Sequence, residues 1–239
     1  ILERTQRLHL APDLSGLSDG ERVAVRELLQ AGERMHQLYM AQRHPQALTA
    51  AAYLAAHPEL TRENDLFRMN AGPIASTLDN TREPFLTVSP ETPARNMYPA
   101  GTTRETMDAF LAAHPERRET LLDDRTVVVE ATAANRAHAL MVLDHHPVLD
   151  TLHPGLRTRL QTEETYLALP YSVAYAHDFF YIVDRLNAAA DAVESGDAAF
   201  ARYLRLRAML AEEQRRPALA HPAGRRTRAR VVPDGEGDL

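Results

Sequence analysis

Apolar residues recur at helical spacing along the first part of the chain. Ser18 and Glu21 stand three residues apart, which is the spacing of a capping box that begins a helix. A stripe of apolar residues then follows at intervals of three, four and seven, which predicts one buried helix face. Its members are Val25, Leu28, Leu29, Met35, Leu38 and Tyr39. We expect this helix to end near His44-Pro45, and a second, alanine-rich helix to cover Ala47–Ala56.

The middle of the chain, from about Arg68 to Ala100, has the composition of an ordered, extended loop. It contains five prolines, which exclude a long helix: Pro73, Pro84, Pro90, Pro93 and Pro99. Its apolar residues are too few for a central strand. They are nevertheless spaced so that the loop can dock on the helices, and they are Ile74, Leu78, Phe85, Leu86, Met97 and Tyr98.

Helical patterns return in the second half of the chain. A capping box formed by Thr102 and Glu105 predicts the first of these helices. Further helices are predicted over 132–143, 149–160 and 172–193, and in a last segment that includes 200–206. Short strands are predicted over 125–130 and 166–169. The predicted fold class is therefore mainly α (α+β with a few short strands), an irregular helical domain with a long proline-rich ordered loop.

Two nearly identical strings, Tyr53–Glu59 and Phe110–Glu116, each contain Leu-Ala-Ala-His-Pro-Glu. Their flanking sequences do not match, so we interpret them as two helix ends with the same chemistry rather than as an internal repeat.

Composition narrows the classes of protein. The chain of 239 residues has a net charge of −6 and no cysteine, which excludes disulfides, thiolate zinc sites and cysteine nucleophiles. No apolar run has the length of a membrane span, and the first residues do not form a signal peptide. The sequence therefore favours a cytoplasmic protein without a membrane partner.

The chain divides into two parts of different composition. Residues 1–208 are predicted to form one mostly helical domain. Residues 209–239 are rich in Arg, Pro and Gly without periodicity, and are predicted to be a disordered or out-of-frame-like tail. Six arginines lie between positions 215 and 230, but no aromatic residue accompanies them for base stacking, so no nucleic-acid partner is predicted.

One dense group of candidate metal ligands is present, and it consists of Asp144, His145, His146, Asp150 and His153. Two neighbouring prolines turn the backbone so that these side chains point in different directions. We therefore interpret the group as a solvated helix–loop junction and not as a metal site. The adjacent carboxylates Asp123-Asp124 and Glu163-Glu164 are interpreted as charged surface. The sequence contains no His-Glu-x-x-His, no Gly-x-Ser-x-Gly and no phosphate-binding glycine loop.

The order of several short strings resembles the N-terminal part of bacterial dipeptidyl peptidase III-like zinc peptidases. In the loop these strings are Asn70–Pro73, Leu78-Asp79, Pro84–Leu86, Pro93-Ala94 and Asn96–Pro99. Outside the loop they are Asp13–Ser18, Thr102–Phe110, Pro170–Tyr175 and Phe200–Ala208. The similarity covers about residues 11–208.

The resemblance implies a metallopeptidase that removes dipeptides from peptide N-termini. Its zinc is held by two histidines of a His-Glu-x-x-Gly-His helix and by a later glutamate, and the glutamate within the motif acts as general base. None of these residues is present, so no catalytic and no metal residue is assigned, and zinc is expected only in a full-length family member. Glu164-Thr165-Tyr166 has the same residue types as the family's substrate-binding segment, but that segment comes later in the family's sequences. We therefore assign these three residues no role in substrate binding.

The sequence thus predicts an N-terminal portion of such an enzyme, inactive alone, whose reading frame has been shifted or whose gene has been truncated. It would bind a peptide substrate only if the missing C-terminal region completed the peptide cleft. A second chain could also supply that region. The alternative is a non-enzymatic helical interaction protein that retains only the scaffold. Five residues are candidates for peptide-cleft or loop-structuring roles: Asn70, Gly72, Asp79, Asn96 and Tyr98.

Overall fold

The computed structural model describes residues 2–6, 8–91 and 95–213. These residues form eleven α-helices, two turns of 3-10 helix and four short strands. The helices are α1 (Asp19–Arg43), α2 (Ala47–Ala56), α3 (Thr61–Asn70), α4 (Arg104–Ala113), α5 (Arg118–Leu121), α6 (Ala133–His145), α7 (Val148–Leu152), α8 (Leu156–Thr162), α9 (Tyr171–Ala174), α10 (Ala176–Val193) and α11 (Ala198–Glu213). The strands are β1 (Ile74–Ser76), β2 (Arg82–Pro84), β3 (Thr126–Glu130) and β4 (Tyr166–Pro170). The prediction of a mainly α fold with a few short strands is confirmed.

Helix α1 begins and ends where the sequence predicts. The Ser18 side chain accepts a hydrogen bond from the Glu21 N–H at 3.3 Å, and the Ser18 N–H donates to the Glu21 carboxylate at 2.8 Å. At the other end His44 leaves helical geometry, as expected before Pro45.

The buried face of α1 differs from the predicted stripe. Leu29, Met35 and Tyr39 are 68%, 59% and 48% exposed, so the prediction that they are buried is wrong. The buried residues of α1 are Ala24, Ala31 and Met40. Two of these three are alanines, because α1 lies very close to α10 and a larger side chain would not fit between the helices.

Helices α1, α10 and α11 pack side by side around a core of small residues. Polar contacts flank this core. Arg185 of α10 pairs with Glu27 of α1 at 2.7 Å, and Arg34 of α1 pairs with Asp178 of α10 at 3.1 Å. The Tyr181 ring lies between the two guanidinium groups, 4.9 Å from that of Arg34 and 5.3 Å from that of Arg185. These contacts fix the register of the two long helices.

The described part of the proline-rich loop is ordered, as predicted, and it is preceded by α3, a helix that the sequence pattern did not predict. Its first part forms an antiparallel hairpin in which Ile74 pairs with Pro84. Phe85 and Leu86 pack beside Met40, as expected for docking residues. Leu78 is 63% exposed, so its predicted docking is wrong, because it lies in the turn between the two strands. The predicted string Pro93-Ala94 lies outside the described residues.

Strands β3 and β4 pair antiparallel, with Val128 opposite Ala168. Helices α6 to α9 cover this ribbon through a second core, whose fully buried leucines are Leu143, Leu149, Leu156, Leu160 and Leu167. The single helix predicted over 149–160 is two helices, α7 and α8, because Pro154 and Gly155 intervene and Gly155 has a φ of 78°. The helix predicted over 172–193 is likewise divided, at Tyr175.

The two similar strings do end helices in the same way. His57 terminates α2 and stacks on Tyr53 with ring centroids 4.2 Å apart. His114 terminates α4 and contacts Phe110 at 4.5 Å. The start of α4 is one residue later than predicted, since Thr103 is the N-cap and its reciprocal partner is Thr106.

Helix α11 continues to Glu213, so the first five residues of the predicted tail, 209–213, are helical. The rest of that tail, 214–239, lies outside the described residues. Among the described helices, none combines the length and apolar character that crossing a bilayer requires.

Candidate functional site

The five candidate residues lie in two places. Asn70, Gly72 and Asp79 lie around the β1–β2 hairpin, whereas Asn96 and Tyr98 lie beside β3. Two of the five therefore line one groove, and the described structure does not place all five at a common surface.

Asn70 joins α3 to the hairpin. Its side-chain amide donates to the Leu66 carbonyl at 2.9 Å, and its side-chain oxygen accepts from the Ser76 N–H at 3.3 Å. Its own carbonyl accepts from Arg43 at 3.2 Å. Gly72 follows with a φ of 156°, and its N–H donates to the Phe67 carbonyl at 3.2 Å, which closes the end of α3. These are loop-structuring contacts.

Asp79 is exposed at the tip of the hairpin. Its neighbour Asn80 has a φ of 58°, a left-handed conformation that asparagine tolerates better than most residues. Thr77 and Thr81 close the turn through a backbone hydrogen bond of 2.9 Å. Asp79 is therefore part of the hairpin turn. Its role in a peptide cleft stays a prediction.

Asn96 attaches the end of the proline-rich loop to α1. Its N–H donates to the Gln42 carbonyl at 3.0 Å, and its side-chain amide donates to the Ala41 carbonyl at 2.8 Å. Because both acceptors are in the last turn of α1, this one residue satisfies two carbonyls that the helix leaves without an intrahelical donor.

Tyr98 connects the same loop to α5. Its hydroxyl donates to the Leu121 carbonyl at 2.9 Å, and burial raises the pKa of the phenol above its ordinary value. Since Leu121 is completely buried, this hydrogen bond holds the loop against the core that contains Leu121.

Between this loop, β3, α6 and the end of α9 lies a groove of about 550 Å³, which we call the β3 groove. Its polar lining residues are Asn96, Tyr98, Glu130, Asn135, His138 and Tyr175. Its other lining residues are Pro99, Ala100, Val127, Val128, Val129, Leu169 and Ala174. This volume and this mixture of apolar walls and a few polar groups are typical of sites for small ligands.

Sequence reasoning missed four polar residues of the groove: Glu130, Asn135, His138 and Tyr175. The last of these, Tyr175, lies next to the proline-rich loop. Its hydroxyl lies 4.0 Å from the Met97 sulfur, and burial raises its pKa to about 12. Its ring makes an edge contact with Tyr171, with centroids 5.5 Å apart. Both residues belong to the string Pro170–Tyr175 that supports the family resemblance, but no residue pattern in the sequence places that string beside Asn96.

A larger groove, of about 650 Å³, lies between α2 and the segment that follows the hairpin. Its walls include Tyr53, Phe85, Leu86 and Val88, with Glu63 at its edge. We consider the β3 groove the stronger candidate, because it contains two of the predicted residues.

The residues of the predicted histidine cluster are engaged in structural contacts. Asp144 and Asp150 both accept hydrogen bonds from Arg157, each at 2.8 Å. His153 is buried and its Nε2 lies 2.6 Å from the Ser172 hydroxyl oxygen. Over the described ranges, no three His, Asp or Glu side chains are arranged to hold a metal ion. A zinc ion therefore does not fit these residues, and we assign it no step.

Comparison with solved structures identifies the fold. The structure of dipeptidyl peptidase III from Caldithrix abyssi is similar with a TM-score of 0.60 and 22% identity, over 84% of this chain and 32% of that one. Dipeptidyl peptidase III from Corallococcus sp. strain EGB gives the same TM-score and identity, over 86% of this chain and 33% of that one. No family model matches the chain, and no curated protein matches it.

The described residues thus have the fold of part of a bacterial dipeptidyl peptidase III, which confirms the resemblance predicted from the sequence. The chain spans about one third of the length of the dipeptidyl peptidase III structures that it matches.

Proposed function

We propose that this chain is the N-terminal portion of a dipeptidyl peptidase III-like zinc metallopeptidase of the bacterial cytoplasm. The observation that supports the proposal is the fold, because more than four fifths of the chain superimposes on dipeptidyl peptidase III structures. On this proposal the β3 groove forms part of one wall of the peptide cleft. Asn96 and Tyr98 would hold that wall in place through their hydrogen bonds.

By itself, this chain would lack the zinc site of such an enzyme. The described residues provide no set of three zinc ligands. The zinc ligands and the general base would therefore come from polypeptide beyond the described residues, and this chain alone would release no dipeptides.

The test is to sequence the gene from the codon of Ala208 onward and to translate the downstream DNA in all three frames. We expect one frame to encode His-Glu-x-x-Gly-His and a later acidic helix. A gene repaired to that frame should yield a protein that binds zinc and releases dipeptides from a dipeptidyl-naphthylamide, with the same protein carrying Gln for the motif's Glu as the inactive control. If no frame contains the motif, or if the present chain already releases dipeptides, the proposal is wrong.

The alternative, a non-enzymatic helical interaction protein, has one observation in its favour. Helices α1, α10 and α11 share a core of buried residues, and two ion pairs connect α1 to α10. This alternative predicts a sharp urea transition and no binding of a hydrophobic dye. The peptidase proposal predicts dye binding, because Leu29, Met35 and Tyr39 would be covered in the full-length protein.

A further inference from the structure

We propose that the larger groove, between α2 and the segment that follows the hairpin, binds an organic cation with a flat aromatic body. This α2 groove of about 650 Å³ has one wall from α2 and its N-cap Gln46, and another from residues 84–88. Leu60 and Glu63, at the start of α3, also line it. It shares no lining residue with the β3 groove, so the inference goes beyond the proposed function and does not depend on it.

Hydrogen bonds hold the two walls of the α2 groove at a fixed separation. The Gln46 side-chain oxygen accepts from the Ser89 N–H at 2.8 Å. The Ser89 carbonyl accepts from Nε2 of the buried His44 at 2.9 Å, and Nδ1 of His44 accepts from the Gln46 N–H at 3.1 Å. Before the other end of this segment, the Phe85 N–H donates to the Pro73 carbonyl at 3.2 Å. The groove is therefore formed before a ligand enters, which lowers the entropic cost of binding.

Each wall of the groove contributes an aromatic ring. Tyr53 of α2 is 49% exposed, and its ring stacks on that of His57 with centroids 4.2 Å apart. Phe85 lies on the other wall and packs partly against the core that contains Met40. Aromatic rings pack well against flat aromatic ligands and attract cations to their faces. The two walls therefore suit an aromatic body that carries a positive charge.

The charge of the groove selects a cation over an anion. Glu63 is the one charged residue among the described residues that line it. It lies in the first turn of α3, where the helix dipole favours a negative charge, and no ion pair within the described ranges includes it. Two arginines of the surrounding elements have other partners, since Arg43 donates to the Asn70 carbonyl at 3.2 Å and Arg82 pairs with Glu91 at 2.8 Å. The Glu63 carboxylate can therefore pair with an ammonium group of the ligand.

The surface next to the groove has the same sign of charge. A smaller groove of about 500 Å³ continues the α2 groove, because both are lined by Glu63 and Phe85. It adds two carboxylates, Glu3 and Glu83, and one arginine, Arg62. Carboxylates thus outnumber cationic side chains along this surface, which favours the approach of a cation and opposes that of a phosphate or a carboxylate.

The experiment is a fluorescence titration of the chain with dansylcadaverine, a naphthalene sulfonamide that carries one primary ammonium group. We expect saturable binding to one site, with a rise in dansyl fluorescence as the ring leaves water. The same compound acetylated on its amine keeps the aromatic body and loses the charge. It should bind about fivefold more weakly or less well still, because the pair with Glu63 is lost.

Two pairs of variants test the location. Glu63→Gln removes the charge and keeps the shape, and it should weaken binding about fivefold, whereas Glu59→Gln at an exposed position outside the groove should leave it unchanged. Thr49→Trp fills the groove from an exposed position of α2 and should abolish saturable binding. Ala52→Trp makes a matched change on the same helix outside the groove and should bind as the parent does. If circular dichroism shows that Thr49→Trp does not fold, the two glutamate variants decide the test.

The outcomes separate this inference from the proposed function. Absence of saturable binding, unchanged affinity of Glu63→Gln, or unchanged affinity of a folded Thr49→Trp would each overturn the α2 site. Equal binding of the acetylated compound would also overturn it, because the probe would then lie on exposed apolar surface such as Leu29 and Met35 of α1. None of these results affects the search for a downstream zinc motif. Conversely, if no frame encodes the motif but the cation binds beside Glu63, the peptidase proposal fails and the α2 site stands.

Discussion

Gly20 occupies the closest approach between α1 and α10, and its replacement by alanine tests how these helices are packed. A Cβ added at Gly20 would lie 2.2 Å from the Ala192 carbonyl oxygen and 3.3 Å from the carbonyl carbon. Both atoms belong to the backbone, so no side-chain rotation relieves the overlap. An ordinary contact between carbon and oxygen is longer than the first distance by about 1 Å, so the helices must separate by a similar amount.

The cost of that separation follows from the neighbouring core. Ala24, Ala189, Ala190, Val193, Ala201 and Leu204 pack together beside this crossing. A gap of about 0.5–1 Å removes roughly a quarter to a half of the dispersion energy of each contact. Overpacking of this kind costs about 1–3 kcal/mol. We therefore expect Gly20→Ala to lower the free energy of unfolding by about 2–3 kcal/mol.

Gly32 provides the matched control in the same helix. It is exposed, and a Cβ there meets nothing within 4 Å. Gly32→Ala should raise the free energy of unfolding by about 1 kcal/mol, since alanine favours the helix interior over glycine. Urea unfolding followed by circular dichroism measures both changes. A Gly20→Ala protein as stable as the parent, or a shift of the same sign for the two variants, would refute the close packing described above.

Three further predictions concern the loop and the second core. Tyr98→Phe should lower the unfolding free energy by about 1 kcal/mol, because it leaves the Leu121 carbonyl without its donor; no change in urea unfolding would contradict this contact. Glu91 has a pKa below its ordinary value of 4.5 because Arg82 donates to its carboxylate, so its contribution is present above pH 4.5 and is lost as the pH falls further. Glu91→Gln should accordingly be destabilised at pH 7, and the difference from the parent should shrink in acid; a difference that grows in acid would reverse the sign. Leu160→Ala should lower the unfolding free energy by about 2–5 kcal/mol because Leu160 is buried. Leu29→Ala should lower it by less than about 0.5 kcal/mol because Leu29 is exposed. Equal losses of stability in the two variants would show that the burial is assigned wrongly.

The sequence predicted only those parts of the candidate site that depend on neighbouring residues in the chain. Asn96 and Tyr98 stand in a proline-rich string, so their order in the loop could be expected. The groove they line could not, because its other wall comes from β3 and from Tyr175, about 30 and 80 residues further along the chain. Contacts at such separations depend on the path of the whole chain and leave no periodic pattern in the sequence.

The sequence by itself determined several of the ends of the elements. The capping box at Ser18 and the end of α2 at His57-Pro58 depend on residues only a few positions away, through local hydrogen bonds and fixed backbone angles. Tertiary structure decided which faces of those elements are buried. The predicted apolar stripe of α1 included Leu29, Met35 and Tyr39, which are exposed, and Leu28, which packs on the core. The close approach to α10 at Gly20 shifts the buried face toward Ala24 and Ala31. A helix buries the face that fits its neighbour, and only the packed structure specifies which neighbour that is.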